Sequence, residues 1–404
     1  MRREAAISAR ADALKAGRSM GKEYRPDRRH HEPTSRVIRV SPVTTTSHDQ
    51  SSSPLNRNFQ ESVPLTPKEL EFLDLSFTLG DSDPRWSFGP GAESALRLQR
   101  SLETIANAWG LPPSTLTFFA DRYLAFYLAI NGVLIANDFP SISLSTIEKK
   151  EVLAIIDGLP DSLSRHHYSV GIDGIFDSFG DDQSLHIFQI RNGETGISQR
   201  RLPDGALIID ATSALPGDLS EFDLASLPWH AIILDATSWG GPRGLYALSI
   251  NPAFHWRNPM PTLDTSMPTF GANYGLTILA ALQLDEFLGR DHRAIIDANE
   301  RVREIVSQVA NVDIAGSDTR DRLSLSFLYT ESEELQRSLY AKGFLFDSGS
   351  ACSSSQLEPS HVLTRMGLLS HGNVRLRFRP ENLAFVEEFA HALIEAVGVE
   401  RSRR

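Results

Sequence analysis

From Ser141 to Ile250 the chain repeats one pattern, a short and mostly apolar run followed by a longer spacer. The runs are Ser141 to Ile147, Leu185 to Gln189, Ala206 to Asp210, Ala231 to Asp235 and Leu245 to Ile250. Near-continuous apolar runs are what strands buried on both faces look like, and the long spacers suit crossovers rather than hairpins. The pattern predicts an α/β fold, a largely parallel sheet covered by helices.

The flanks of this region read as helices. In LTPKELEFLDL, Thr66 reads as an N-cap, with Pro67 at the first helical position. After the turn-rich WSFGPG, Glu93 to Trp109 is amphipathic and ends at Gly110 before a Pro-Pro pair. Tyr123 to Ala136 is a further helix, and Phe270 to Val306 a long helical region broken near Gly289 to Asp291. This region leads into a smaller α+β domain with strands Leu323 to Tyr329 and Val374 to Phe378 and a final helix Pro380 to Val397. Residues 1–60, rich in Arg, Ser, Thr, His and Pro, show no sustained apolar period and read as a disordered basic tail. The expected organisation is this tail, a large α/β domain over 61–265, a helical connection over 266–310 and a small α+β domain over 311–404. No internal repeat is visible.

Charge divides along the same line. The first 60 residues carry 12 Lys plus Arg against 6 Asp plus Glu, whereas the remainder carries 28 against 45. An acidic body argues against nucleic acid as a partner, because phosphate neutralisation needs a basic surface. No apolar run is long enough to span a bilayer, and the N-terminus lacks the apolar segment of a secretory signal. A cytoplasmic protein without a membrane partner is expected. A single cysteine excludes an internal disulfide and any cysteine-cluster metal site.

That cysteine, Cys352, lies in FDSGSACSSSQLEPSHVLTRMG, Phe346 to Gly367. Small and hydroxylated residues surround it, and an amphipathic helix follows with Leu357, Val362, Leu363 and Met366 as its apolar face. A thiol before a helix N-terminus meets unpaired N–H groups that favour the nucleophilic thiolate. Spacing alone leaves the other reading open, a small buried hydrophobe with no chemical role.

The whole stretch SGSACSSSQLEPSHVLTRMG resembles the mobile catalytic loop and following helix of the NifS/IscS-type cysteine desulfurases, in the class V aminotransferase family of pyridoxal-phosphate enzymes. The resemblance covers roughly residues 65 to 398. It implies a large domain with a mainly parallel seven-stranded sheet, a small α+β domain, a dimer, and sulfur transfer through a persulfide on Cys352. The family's opening Asn-Ala-Ala-Thr-Thr signature is not recognisable here.

Carried over residue by residue, the resemblance implies a degenerate cofactor site. The family's Ser-x-His-Lys-x-x-Gly-Pro-Lys-Gly segment aligns with DATSWGGPRG, Asp235 to Gly244, which puts Ser238 at the Schiff-base lysine and Thr237 at the preceding histidine. The phosphate-binding turn aligns with Asp121 to Leu124, DRYL, where a carboxylate and Tyr123 stand in an anion's path. The ring-stacking histidine aligns with Lys149, which beside Lys150 reads more readily as part of a solvated charge pair than as a replacement lysine. In the Asn-Asn-Glu-x-Gly motif the second asparagine is Gly193. Asp210 keeps the acid for the pyridine nitrogen, Ser213 replaces a glutamine, and Thr269 resembles the threonine that reaches the neighbouring subunit's phosphate. Arg375 or Arg377, in NVRLRFR, aligns near the arginine that grips the substrate carboxylate. The expectation is pyridoxal phosphate by resemblance, not covalently bound or absent. The expected partner is a sulfur acceptor or an active desulfurase, in a homodimer or heterodimer.

Overall fold

The structure is a computed structural model that describes residues 56–79, 88–176, 178–180, 183–260, 274–349 and 359–403. Cys352 and Thr269 lie outside the described residues.

The first helix, α1 (Pro67–Leu79), opens with a reciprocal capping box. Thr66 N donates to Glu69 Oε2 at 2.6 Å and Glu69 N to Thr66 Oγ1 at 3.3 Å, which satisfies two helix-end donors. Helix α2 (Gly89–Ala108) follows, then strand β1 (Leu116–Phe119), helix α3 (Arg122–Ala136), strand β2 (Ser141–Ser145) and helix α4 (Lys150–Asp157). Strands β3 (Ser164–Tyr168), β4 (Leu185–Gln189), β5 (Leu207–Asp210), β6 (Trp229–Asp235) and β7 (Tyr246–Ile250) complete a seven-stranded sheet of order β1-β7-β6-β5-β4-β2-β3. From β3 to β6 the pairing is parallel, and β7 and β1 run antiparallel at one side.

The apolar runs are explained by burial on both faces. Ile208 and Ile233 pack on the side of α3 and α4, while Leu207, Ile209, Ile232 and Leu234 pack on the opposite side with residues of α2 and of α5 (Tyr274–Leu288). Two strands of this sheet escaped the sequence pattern, β1 and β3, and both are its edges. Strand β3 reads SRHHY because an edge strand meets water and needs no apolar alternation.

A second core gathers helix α6 (Arg293–Val306) and a three-stranded antiparallel sheet of order β10-β9-β8. Its strands are β8 (Val312–Ile314), β9 (Arg322–Phe327) and β10 (Val374–Arg377). Helices α7 (Ser332–Tyr340), α8 (His361–Met366) and α9 (Val386–Ser402) complete the fold. Phe59, at the end of the stretch read as tail, is fully buried in this core against Phe344, Phe378 and Phe389. The backbone explains how it gets there. Phe59 N donates to Leu345 O at 2.8 Å and Arg377 N to Phe59 O at 2.8 Å, so residues 57–60 join the sheet that a tail would have left behind.

Candidate functional site

In a parallel sheet, ligands sit beyond the carboxyl ends of the strands. Here that edge collects Asp210 at the end of β5, Asp235 at the end of β6, and Glu148 and Lys149 just after β2. Lys149 is not a solvated charge. Its Nζ meets Asp210 Oδ2 at 2.7 Å, with side chains 12% and 0% exposed, while Lys150 is exposed. The correction has a topological cause: β2 and β5 both flank β4, so the turn after β2 overlooks the end of β5. Asp210 also accepts from Thr212 N at 2.8 Å and Thr212 Oγ1 at 2.7 Å. Burial pushes its pKa up, but Lys149 and Thr212 more than offset this and hold it below the ordinary 3.8. Beside the pair, Glu148 is fully buried, and burial followed by the nearby Asp210 pushes its pKa well up.

Whether these residues fit pyridoxal phosphate can be read position by position. The acid that would meet the pyridine nitrogen already has an ammonium partner. At the phosphate turn, the Asp121 carboxylate accepts from Leu124 N at 2.8 Å and caps α3, so the helix supplies its own anion. Asp235, in the segment aligned with the lysine, accepts from Thr237 N at 2.9 Å and Thr237 Oγ1 at 2.7 Å. Ser238 is fully buried with an unpartnered hydroxyl and offers no amine. At Gly193 a Cβ would lie 2.6 Å from Ser213 Oγ, so a larger residue there would require the Ser213 hydroxyl to turn away. At the positions that the resemblance assigns to the cofactor, the charged side chains are thus already engaged within the chain, and Ser238 supplies no amine.

The cleft between the two sheets holds a salt-bridge network that sequence reasoning missed. Glu61 pairs with Arg322 Nη2 at 2.5 Å and Arg377 Nη1 at 3.3 Å; Asp321 pairs with Arg191 Nη2 at 2.6 Å and Arg377 Nε at 2.8 Å. Arg322 Nη1 donates to Ser213 O and Arg377 Nη2 to Ser238 O, each at 2.6 Å, so guanidiniums of β9 and β10 dock on the cofactor-position segments. Burial pushes Glu61 up, yet Arg322, Arg377 and Arg379 hold it at about 2. Burial, then the neighbouring Arg322, brings Arg377 down to about 10.

Of the two arginines proposed for the substrate carboxylate, Arg377 is thus committed to the network. Arg375 lies 3.8 Å from Glu194 and donates through Nη2 to the Ser348 carbonyl, at the root of the Cys352 loop. That root is pinned further by Gly349 N donating to Asn373 Oδ1 at 2.9 Å. On the far side of the loop Ser360 caps α8, and His361 Nε2 donates to Glu148 O at 2.8 Å. Val362 and Met366 then enter the main core. Both flanks of the loop are therefore anchored, one on β10 and the other beside the Lys149–Asp210 pair. No group of three or more metal-ligating side chains and no helix long and apolar enough to cross a membrane occur among the described residues.

No protein-family model matches the chain. Among solved structures, the fold is similar to that of a NifS-like protein (TM-score 0.69, 17% identity, covering 85% of this chain and 100% of that one). It is also similar to a cysteine desulfurase from Thermococcus onnurineus NA1 (TM-score 0.71, 18% identity, 85% and 94% covered). The fold is therefore that of the NifS-like, class V aminotransferase group. In sequence, the chain is 29% identical to cysteine desulfurase IscS of Proteus mirabilis strain HI4320 over 394 residues, spanning 84% of this chain and 93% of that one. The IscS of Pectobacterium carotovorum strain PC1 is 28% identical over 371 residues, 80% and 87% covered. In sequence, as in fold, the chain is thus similar to the NifS/IscS-type cysteine desulfurases.

Proposed function

We propose that this protein handles sulfur through the Cys352 thiol on a desulfurase scaffold whose own cofactor position is closed. The observation that supports this reading is the Lys149–Asp210 ion pair, which engages the carboxylate that the resemblance assigns to the pyridine nitrogen, in a chain with Ser238 at the position aligned with the lysine. Asp121, at the turn aligned with the phosphate site, and Asp235, in the segment aligned with the lysine, support it as carboxylates already engaged by backbone N–H groups.

The chemistry left to such a chain is persulfide exchange. The Cys352 thiolate attacks the terminal sulfur of a donor persulfide, the donor's S–S bond breaks, and the donor leaves as a thiolate, with no net oxidation. An active desulfurase partner is the natural donor class, and an acceptor thiol completes the relay. Arg375 acts as a positioning residue, bracing the loop root through Ser348 O. The dimer implied by the resemblance pairs the chain with itself or with that desulfurase.

The test is to incubate the purified protein with a low-molecular-weight persulfide and map peptides by mass spectrometry. A gain of one sulfur on Cys352, absent in Cys352→Ser and passed to an acceptor thiol on chase, is expected. A Cys352 that reacts no faster than free cysteine overturns the relay.

A further inference from the structure

We propose that the turn from Thr319 to Arg322 is a strained, salt-sensitive latch between the two sheets, with Arg320 as its release element. The turn leads into β9 and is closed by Arg322 N donating to Thr319 O at 3.1 Å. It is gripped in both directions. From the large sheet, Arg191, just after β4, donates through Nη2 to Thr319 O and to Asp321 Oδ1, each at 2.6 Å. From the turn, Arg320 reaches back to the 3-10 turn Asp218–Glu221, where Nη1 meets Asp218 Oδ1 and Nη2 lies 3.3 Å from Glu221 Oε1.

The backbone of Arg320 carries the strain. Its φ is +50, a left-handed conformation that is unfavourable for a residue with a Cβ and persists only where surrounding contacts enforce it. Those contacts are close. Asn299 Nδ2 of α6 donates to Arg320 O at 2.7 Å. On the facing turn, a Cβ at Gly196 would lie 2.8 Å from Arg322 Cβ and 3.1 Å from Thr319 O, so the two turns meet without slack.

The two grips differ in exposure, and this decides which of them salt reaches. The side chains of Arg191 and Asp321 are 0% and 8% exposed, so their pair is little screened. Those of Arg320 and Glu221 are 34% and 60% exposed. Their pair weakens as the screening length falls from about 10 Å at about 0.1 M salt to about 3 Å at about 1 M. Once it weakens, relief of the left-handed backbone favours leaving the seat.

Release is local to residues 190–197 and 315–322, because strands β4 to β6 behind them are held by their own ladders and core. The facing turn also carries Glu194, whose carboxylate lies 3.8 Å from Arg375 at the root of the Cys352 loop. Opening at Arg320 thus loosens the support of that root. The latch itself does not depend on sulfur transfer by Cys352.

The test is hydrogen exchange read by mass spectrometry on the full chain, at about 0.1 M and about 1 M salt, in wild type, Arg320→Ala and Arg320→Gly. Alanine keeps the left-handed strain and loses the ion pairs, whereas glycine loses both. Peptides spanning 190–197 and 315–322 are expected to exchange about tenfold faster in Arg320→Ala than in wild type at low salt, with Arg320→Gly in between. Of the three, only wild type should speed up with salt, and peptides from β5 and β6 should not change. Turns indifferent to Arg320→Ala, or β5 and β6 peptides that accelerate by the same factor, overturn the latch, the second because Arg320 then only adds to global stability. Equal rates in the alanine and glycine variants overturn the stored strain, and a wild type indifferent to salt overturns the salt sensitivity.

Discussion

Replacing Lys149 by Met removes the cation facing Asp210 while keeping most of the side-chain volume. Asp210 is then left fully buried with its two Thr212 hydrogen bonds and no counter-charge. Removing one partner of a buried pair costs about 3–5 kcal/mol, and the retained hydrogen bonds argue for the lower end, ~3 kcal/mol. The described residues fall within 56–403. At an unfolding entropy of about 2 cal/mol/K per residue, a unit of that length loses roughly 4 °C in Tm.

The pH dependence is the sharper signature. In the wild type the folded pKa of Asp210 is depressed, so its stabilisation is present above the unfolded value and is lost as pH falls through the folded one. Without Lys149, burial acts with no cation against it and the folded pKa rises above the unfolded value. The sign then reverses, and the variant gains stability relative to wild type as pH is lowered from about 7 toward about 4. Guanidinium unfolding across that range measures both effects. A Lys149→Met protein within about 0.5 kcal/mol of wild type, with an unchanged pH slope, would refute the buried pair.

Two further outcomes follow from the same region and its neighbour. Glu148 has a raised folded pKa, so its contribution is present below the unfolded value and is lost as pH rises through the folded one. Glu148→Gln, which cannot ionise, should be more stable than wild type by about 1–3 kcal/mol above that transition and little different in acid, read by denaturation at several pH values. Phe59→Ala should cost about 3–5 kcal/mol, since it empties a fully buried aromatic site; an unchanged unfolding midpoint would return residues 57–60 to the tail.

What the sequence made legible follows from what each residue's neighbours are. Strands β4 to β7 are readable because both of their faces are buried, and their apolar runs say so. The α1 start is readable because a capping box is local, four residues from Thr66 to Glu69. Asp210 is readable from its place at a strand end in DATSA. Lys149 was misjudged because its partner is 61 residues away and only the sheet order brings them together. The arginine network was hidden for the same reason, since Glu61 lies 261 residues from Arg322 and Arg191 lies 130 residues from Asp321. Alternation in NVRLRFR puts Arg375 and Arg377 on one face of β10, but only the packed structure separates the one committed to Asp321 from the one that braces the Cys352 loop.

The most direct test of the closed cofactor position is the visible absorption spectrum of the purified protein with added pyridoxal phosphate, followed by borohydride reduction and peptide mass mapping. The Lys149–Asp210 pair, Asp121 at the phosphate turn and Ser238 at the lysine position predict no aldimine band and no reduced adduct on any lysine. A reducible adduct mapped to Lys149, or to any other of the six lysines, would contradict the account and make this chain a pyridoxal-phosphate enzyme with a relocated lysine.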